Sequence, residues 1–399
     1  MLTSLAFIFL VGLFAAEICR KLKLPRIIGM LLTGVVLGPY VLNLLDSSIL
    51  GISPDLRKMA LVIILIKAGL SLDLDDLKKV GRPAVLMAFL PAVFEITAFV
   101  LFAPSILGVD RIEGAIMGAV LGAVSPAVVV PRMISRIEEG YGTKKGIPQL
   151  ILAGASLDDV FVIVLFTTFL GMAQGSGIYV MDFINIPISI VLGLILGALV
   201  GCFLAWFFET SYIHQDLIRN STKVIIILGV AFLLLAVEDW LDGIVPISGL
   251  LAIMSMALVI AMRSVPSVTT RLREKYGKLW LAAEVILFVL VGAVVDIRYT
   301  MEAGLSAVMM IAVGLLCRST GVWICMIGTN LNFKERLYCM ISYLPKATVQ
   351  AAIGSIPLSL GMPCGRLVLS VAVMSILITA PLGAIGMDLS YPYLLEKEN

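Results

Sequence analysis

GAVLGAVSPAVVVPRM, residues 118–133, is apolar like a membrane helix but carries a proline at its centre. A second apolar segment, MISYLPKATVQAAIGSIP at residues 340–357, has the same feature. Proline removes a backbone donor and clashes with the preceding turn, so we expect both helices to be interrupted at mid-membrane. The residues at these interruptions are Ser125, Pro126, Ala127 and Val128 in the first segment and Lys346, Ala347 and Thr348 in the second. The alternative is a pair of simple kinks packed by neighbouring helices.

The whole chain has the composition of a membrane protein. Of its 399 residues, 60% are hydrophobic and only 14% are charged, with a mean hydropathy of +1.08. Soluble domains carry about 25% charged residues. At ~20 apolar residues for each spanning helix, this length accommodates roughly a dozen spans. We therefore predict a single membrane domain over residues 1–399, surrounded by the lipid bilayer.

Charge and rare residue types exclude other classes of protein. The net charge is +2, and the basic residues are spread through the loops without interleaved aromatics, which excludes nucleic-acid binding. The six cysteines have no CxxC spacing, and one histidine cannot complete a Cys/His site, so neither a disulfide framework nor a zinc site is predicted. We expect no cofactor.

Apolar runs bounded by charges, glycine or proline predict thirteen membrane-spanning helices. They are Leu2 to Ile18, Arg26 to Leu45, Met59 to Leu72, Ala84 to Leu107, Ile112 to Met133, Ile147 to Met172, Ile184 to Phe208, Thr222 to Val237, Val245 to Met262, Leu279 to Ile297, Ala303 to Gly328, Leu337 to Leu360 and Leu367 to Ile385. Alternate loops then carry twenty and five lysines and arginines. Because basic residues are retained in the cytoplasm, this asymmetry predicts an N-terminus outside and a C-terminus inside.

The two halves of the chain share a spacing that indicates an internal repeat. An offset of 223 residues aligns Gly69 with Gly292, Asp73 with Asp296, Gly81 with Gly304 and Glu95 with Arg318. Spans three and ten are seven apart and therefore run in opposite directions, which predicts an inverted-topology repeat of the kind found in secondary transporters. We assign repeat one to residues 1–173, a connector helix to residues 183–208 and repeat two to residues 222–390.

Two adjacent acids, Asp158 and Asp159, lie near the centre of the predicted sixth span. A charge at the bilayer centre costs at least ~2.5 kcal/mol, so such groups need a partner or a wet cavity. Neighbouring helical residues diverge by about 100°, so we expect one acid to face a cavity and the other a helix or the cavity wall. A carboxylate there can hold a proton or a cation but not both, which is the chemistry of exchange. Alternatively, Ser156 and Asp159 form a capping box that starts a shorter helix.

Lys346, beside the second interruption, has two interpretations. It either offsets the partial negative charge of helix C-termini at the interruption or extends to the membrane interface. We favour the first.

Five strings carry a resemblance to a known family. They are GAVSPAVVVPRM at 122–133, ASLDDV at 155–160, CRSTGVW at 317–323, YLPKATVQAAIG at 343–354 and SILITAPLG at 375–383. Together they closely resemble the monovalent cation/proton antiporters, specifically the two-aspartate NHA branch of the sodium/proton exchangers. The likeness runs over essentially the whole chain.

The resemblance implies an all-α integral membrane protein of about thirteen helices, built as two inverted six-helix repeats with crossed discontinuous helices, and a homodimer. Asp159 would match the carboxylate that carries the ion and the proton, and Asp158 its companion, so both are candidate ligands of transported Na⁺ or Li⁺. Glu95 and Arg318 match the acid/base pair beside that site. Because arginine effectively cannot lose its proton, we expect Arg318 to be a structural partner of Glu95. The absence of a long tail suggests a compact protein of a prokaryotic cell membrane.

The function predicted from these features is exchange of Na⁺ or Li⁺ for H⁺ by alternating access. The alternative on the same architecture is a Na⁺-coupled organic-anion symporter, and sequence alone does not separate an exchanger from a passive cation channel. We do not expect an enzyme. An intramembrane aspartyl protease brings its two carboxylates from different helices, and a prenyl-transferring metal site needs a third acid after Asp158 and Asp159.

Overall fold

The computed structural model describes residues 1–71, 81–174, 180–213, 219–241, 245, 247–298 and 304–398, and these residues are helical with no strand among them. The helices are α1 (Leu2–Lys21), α2 (Arg26–Leu37), α3 (Ser47–Gly51), α4 (Ser53–Ser71), α5 (Arg82–Met87), α6 (Leu90–Leu107), α7 (Arg111–Leu121), α8 (Pro126–Glu139), α9 (Ile147–Gln174), α10 (Val180–Ile213), α11 (Asn220–Leu241), α12 (Gly249–Arg263), α13 (Pro266–Ala293), α14 (Gly304–Cys325), α15 (Phe333–Ser342), α16 (Thr348–Ile353), α17 (Ile356–Ser359) and α18 (Gly365–Leu394). Asp73, one residue of the repeat pattern, lies outside the described residues.

The all-helical membrane architecture agrees with the prediction at a coarse level. Within the described part of the chain, eight helical stretches are long and apolar enough to cross a membrane, and three shorter apolar helices accompany them. The protein is therefore an integral multi-pass membrane protein. The count of thirteen spans stays a prediction.

Both proline-containing segments are interrupted, as predicted. Residues 122–125, between α7 and α8, are break one, and residues 343–347, between α15 and α16, are break two. Pro126 opens α8, because the first helical position tolerates the missing N–H of proline, while Pro131 stays inside that helix. Break one therefore lies on the N-terminal side of its proline rather than across it.

The second predicted span is too long. It ends at Leu37 rather than Leu45, because Gly38 is extended with ψ 172°. The residue before a proline is generally pushed out of the helical region, and Pro39 follows Gly38 here.

Two other predicted spans are too short. The first turns of α13, from Pro266, precede the predicted start at Leu279, and α18 continues to Leu394 past the predicted end at Ile385. Pro381 lies inside α18 without ending it. Hydropathy detects only the apolar part of a helix, so polar turns at either end are missed.

The described residues form two compact units. Unit one comprises Met1–Pro54, Asp73–Ala173 and Val285–Asn399, and unit two comprises Asp55–Leu72 and Gln174–Glu284. Within unit one, α6 packs against α7 and α14, and α1 packs against α2. Within unit two, α10 packs along α12, where Gly197 leaves room for the carbonyl group of Ala252.

The end of the chain pairs with the loop between α8 and α9. The backbone N–H of Gly142 donates to the carbonyl oxygen of Glu396 at 2.8 Å. An isolated antiparallel bridge joins Tyr141 to Lys397. We call residues 395–398 the C-terminal strap. Because that loop leads directly into α9, the strap ties the end of the chain to the helix that bears the paired acids.

Candidate functional site

The two breaks lie against each other inside unit one. The backbone N–H of Ser125 in break one donates to the carbonyl oxygen of Pro345 in break two at 2.8 Å. The hydroxyl oxygens of Ser125 and of Thr348, the first residue after break two, are buried and have no hydrogen-bond partner. Two interrupted helices therefore meet at one point and leave two hydroxyl groups free there.

Side-chain donors form hydrogen bonds to the backbone carbonyls at the end of α7 and in break one. The Leu121 carbonyl oxygen accepts from Lys346 Nζ and, at 3.4 Å, from Gln350 Nε2. Gln350 Nε2 also donates to the Ala123 carbonyl at 2.9 Å. Arg318 Nη1 donates to the Gly122 carbonyl. The C-terminal end of a helix carries a partial negative charge, so two cationic groups here are electrostatically favourable.

Arg318, on α14, donates to four oxygen atoms, one in each break and one on each of Glu95 and Asp158. Its Nε donates to the Tyr343 carbonyl at 2.9 Å, and its Nη2 donates to Asp158 Oδ2 at 2.7 Å. Its Nη1 donates to Glu95 Oε2 at 3.0 Å and to the Gly122 carbonyl. The side chain is fully buried. The contact between Arg318 and Glu95 was expected from the sequence, whereas the contact with Asp158 was not.

The paired acids of α9 have different surroundings. Asp158 Oδ2 accepts from Arg318 and, at 2.9 Å, from the backbone N–H of Val124 in break one. Asp158 Oδ1 has no partner. Asp159 is also buried, at 9% exposed, and its Oδ1 has no hydrogen-bond partner. Asp158 is thus tied to break one, while Asp159 presents a buried carboxylate oxygen that no protein donor reaches.

Lys346 is enclosed by unit one. Its side chain has no exposed surface, so the alternative in which it extends to the membrane interface is wrong. Its Nζ lies 2.5 Å from Glu95 Oε2 and also donates to the Leu121 carbonyl. Its backbone N–H donates to Thr379 Oγ1 of α18 at 2.9 Å. Lys346 therefore connects break two to α6, α7 and α18 through hydrogen bonds of its side chain and backbone.

Five buried charged side chains therefore form the site: four are joined by ion pairs, and Asp159 is buried next to Asp158 on α9. Three are acids, Glu95, Asp158 and Asp159, and two are bases, Arg318 and Lys346. When all five are ionised, the cluster carries one excess negative charge. A single bound cation or proton makes it neutral.

The remaining residues predicted for the site lie outside the charged cluster. Pro126, Ala127 and Val128 form the first turn of α8, where the Val128 carbonyl accepts from Arg132 Nη1 at 2.9 Å. The Ala347 N–H is capped by Gln350 Oε1 at 2.7 Å. Among the described residues, no group of three or more His, Cys, Asp or Glu is arranged to hold a metal ion.

The alternative in which the acids start a shorter helix is wrong. Helix α9 runs without interruption from Ile147 to Gln174, so Asp158 and Asp159 lie well inside it rather than in its first turn. The uninterrupted apolar turns before the acids carry them into the interior of unit one.

Sequence reasoning missed Gln350, Tyr343 and Thr379. None of the three had a readable signal. Gln350 accepts from the N–H of the cap residue, but that residue is Ala347, whose side chain has no acceptor to complete a capping box. The contacts of Tyr343 and Thr379 depend on how distant helices cross, and a single sequence does not report this.

Comparison with known proteins gives consistent results. The family model described as "Sodium/hydrogen exchanger, transmembrane" matches residues 5–387. Sodium/hydrogen exchanger 9B2 of Homo sapiens is 36% identical over 386 residues, which cover 94% of this chain and 70% of that protein. Sodium/hydrogen exchanger 9B1 of Homo sapiens is 30% identical over 390 residues, with 94% and 73% covered. The solved structure of the sodium proton antiporter MjNhaP1 from Methanocaldococcus jannaschii superposes with a TM-score of 0.83 at 23% identity, over 98% of this chain and 97% of that one, and shows a similar fold.

Proposed function

Since the chain belongs to the sodium/hydrogen exchanger family, a family of cation/proton antiporters, we propose that it exchanges Na⁺ or Li⁺ for H⁺ by alternating access at the Asp158–Asp159 site. The family membership expected from the sequence motifs is confirmed. The relatives named above are exchangers rather than enzymes. The identity of the exchanging carboxylate is the proposal.

The observation that carries the proposal is the difference between the two acids. Asp158 has one free oxygen, but its Oδ2 accepts from Arg318 at 2.7 Å and from a backbone N–H, whereas Asp159 has a buried free oxygen and no hydrogen bond within the described residues that holds its carboxylate. A buried carboxylate without a partner is costly, so it binds a proton or a cation in its place. We therefore assign the exchanging role to Asp159 and a positioning role to Asp158.

The free oxygen atoms at the breaks indicate how a cation is held. Several carbonyls at the breaks, including those of Gly122, Ala123 and Pro345, already accept hydrogen bonds from the protein. In other transporters, unwound carbonyls coordinate Na⁺. Here the unpartnered oxygens include the hydroxyls of Ser125 and Thr348 and the Oδ1 atoms of the two aspartates, besides Glu95 Oε1 and the Tyr343 hydroxyl. We assign cation coordination to the first four of these side-chain oxygens.

The charge of the cluster favours exchange of one cation for one proton. Arg318 stays protonated at any physiological pH, so it contributes a fixed positive charge. With Lys346 charged as well, one Na⁺ or one H⁺ restores neutrality to the three acids and two bases. Binding both would leave an excess positive charge in a buried cluster, which is unfavourable.

The helix boundaries support the inverted repeat. An offset of 223 residues moves Arg111–Leu121 (α7) to 334–344, next to Phe333–Ser342 (α15). The same offset moves Ile147–Gln174 (α9) to 370–397, a range that largely overlaps Gly365–Leu394 (α18). We propose repeats over residues 1–173 and 222–390 joined by a connector helix at 183–208.

Assembly and orientation complete the proposal. We propose a homodimer in a prokaryotic cell membrane with the N-terminus outside and the C-terminus in the cytoplasm. The distribution of basic residues among the loops supports the orientation.

Reconstituted vesicles test the exchanging role of Asp159. Asp159→Asn should abolish Na⁺- or Li⁺-dependent collapse of an imposed proton gradient. Asp110→Asn is the matched control, because Asp110 caps α7 and asparagine caps equally well. Exchange at the wild-type rate in Asp159→Asn would contradict the proposal. In the wild type, a rate independent of imposed membrane potential supports one-for-one exchange, and a rate that follows the potential contradicts it.

A further inference from the structure

Gln350, the third residue of α16, is a fully buried neutral side chain that touches both breaks. Its Oε1 accepts from the N–H of Ala347 in break two at 2.7 Å. Its Nε2 donates to the carbonyl of Ala123 in break one at 2.9 Å and, at 3.4 Å, to that of Leu121. One amide therefore bridges the last turn of one interrupted helix and the first turn of the other.

The other side chains that bridge the breaks are charged and share their contacts with acids. Arg318 binds the Gly122 carbonyl but also Glu95 and Asp158. Lys346 binds the Leu121 carbonyl but also Glu95. When a bound ion changes the charge of the cluster, the forces on these two bases change with it. Gln350 has no charge, and its hydrogen bonds at the breaks all go to backbone groups, so a change in the charge of the cluster does not act directly on its contacts.

We propose that Gln350 is a positioning residue for the cation site: by fixing the spacing of break one and break two, it sets the affinity for the transported cation. The oxygen atoms assigned to the cation come from both sides of this spacing, Ser125 at break one and Thr348 beside break two. Loss of the bridge lets the two hydroxyls separate. This inference rests on the proposed function.

A purely local role must be separated from this bridging role. Gln350 also forms one half of a capping box at the start of α16, and glutamate serves that box as well as glutamine does. In Gln350→Glu the ionised side chain still accepts from Ala347, but it cannot donate to Ala123. The substitution thus keeps the cap and removes the bridge. When the added carboxyl group takes up a proton, it can donate again.

The experiment measures Na⁺ and Li⁺ dependence of exchange in vesicles at several pH values. We expect Gln350→Glu to raise the KM for Na⁺ by about tenfold at alkaline pH, as for loss of one or two buried hydrogen bonds, with a much smaller change in maximal rate. As the pH falls, its KM should return toward that of the wild type. Gln350→Met, which can make neither contact, should raise the KM at every pH.

The control is Gln174→Met, the same change at an exposed position on α9. It should leave the KM unchanged. The proposal is overturned if Gln350→Glu keeps the wild-type KM at alkaline pH or binds Na⁺ more tightly, or if its KM is raised equally at all pH values. If Gln350→Met does not fold, the pH profile of Gln350→Glu decides. Failure of the proposed function itself would show differently, as exchange that survives in Asp159→Asn.

Discussion

Break one and break two occupy equivalent places in the proposed repeat, yet their side chains differ in chemistry. The offset of 223 residues aligns Ala123 with Lys346 and Ala127 with Gln350. Break one has no charged side chain and presents carbonyl oxygens, whereas break two supplies an ammonium group and, through α16, an amide. The two breaks are therefore both interrupted helices but complementary in chemistry, so each interruption satisfies groups that the other leaves open.

Removing Lys346, the cation of break two, should have the largest effect on the stability of the protein. In Lys346→Met, the Leu121 carbonyl loses its strong donor, and Glu95 keeps only Arg318 as a partner. Breaking a buried ion pair by removing one partner typically costs about 3–5 kcal/mol. We expect a large fall in the thermal unfolding midpoint in detergent.

Exposed Lys334→Met is the control for this change, and it should unfold like the wild type. A double variant with Glu95→Gln should recover part of the loss, because it returns the cluster to the single excess negative charge that it has in the wild type. A Lys346→Met protein as stable as the control would mean that break two does not depend on its own cation.

Changing the base that serves break one should have a smaller effect. Arg318→Lys keeps the positive charge, but a lysine has three donors for the four oxygens that Arg318 contacts. At least one buried hydrogen bond from a charged donor is lost, at about 1.5–3 kcal/mol. We expect a moderate fall in the unfolding midpoint, measured beside Lys346→Met. Equal losses in the two variants would remove the distinction between the breaks.

The free hydroxyls test whether the breaks contribute alike to cation binding. The offset of 223 residues aligns Ser125 with Thr348, and both hydroxyls are buried without partners. We expect Ser125→Ala and Thr348→Val each to raise the KM for Na⁺ by about two- to tenfold, the range for loss of one polar contact.

The exposed Thr320→Val is a control for the hydroxyl change and should have the wild-type KM. An effect in only one of the two variants would assign the cation to one break. No effect in either would exclude hydroxyl coordination.

The smallest effect is expected outside the breaks, at the start of the helix that leads to break two. Lys145 Nζ donates to Glu335 Oε1 on α15 at 2.8 Å, and this hydrogen bond raises the pKa of Lys145 above its usual 10.5. A raised pKa on a base gives stability that is full below the usual value and is lost as the pH rises through the higher one. Because the side chain is partly exposed, Lys145→Met should cost less than about 1 kcal/mol at neutral pH.

The free energy of unfolding of the wild type and of Lys145→Met, measured at a series of pH values, tests this pH dependence. The two proteins should differ slightly at neutral pH and converge as the pH rises above 10.5. A difference that grows with pH would contradict the assigned cause. The adjacent exposed Lys144→Met should match the wild type throughout.

The sequence predicted the two interruptions because proline acts through local backbone chemistry. Pro345 indicated break two directly, and Pro126 marked the end of break one. The position of Asp158 and Asp159 inside a helix also followed from the apolar run around them. Such features depend on neighbouring residues, so one sequence is enough to infer them.

The contacts between distant residues could not be predicted in the same way. Arg318 reaches Asp158 and Tyr343 only because α14 crosses α9 and break two. The assignment of Arg318 to Glu95 came from the repeat and the family resemblance, which report equivalent places but not every neighbour. Gln350 was overlooked because a neutral side chain in an apolar helix carries no charge signal, although its geometry at the crossing is specific.

The C-terminal strap offers a labelling position that is connected to α9 but lies away from the proposed ion site. Because it is hydrogen-bonded to the loop that enters α9, the strap is anchored at the start of the aspartate helix. A spin label on Lys397 would thereby report displacement of that helix during a transport cycle without altering any ion ligand.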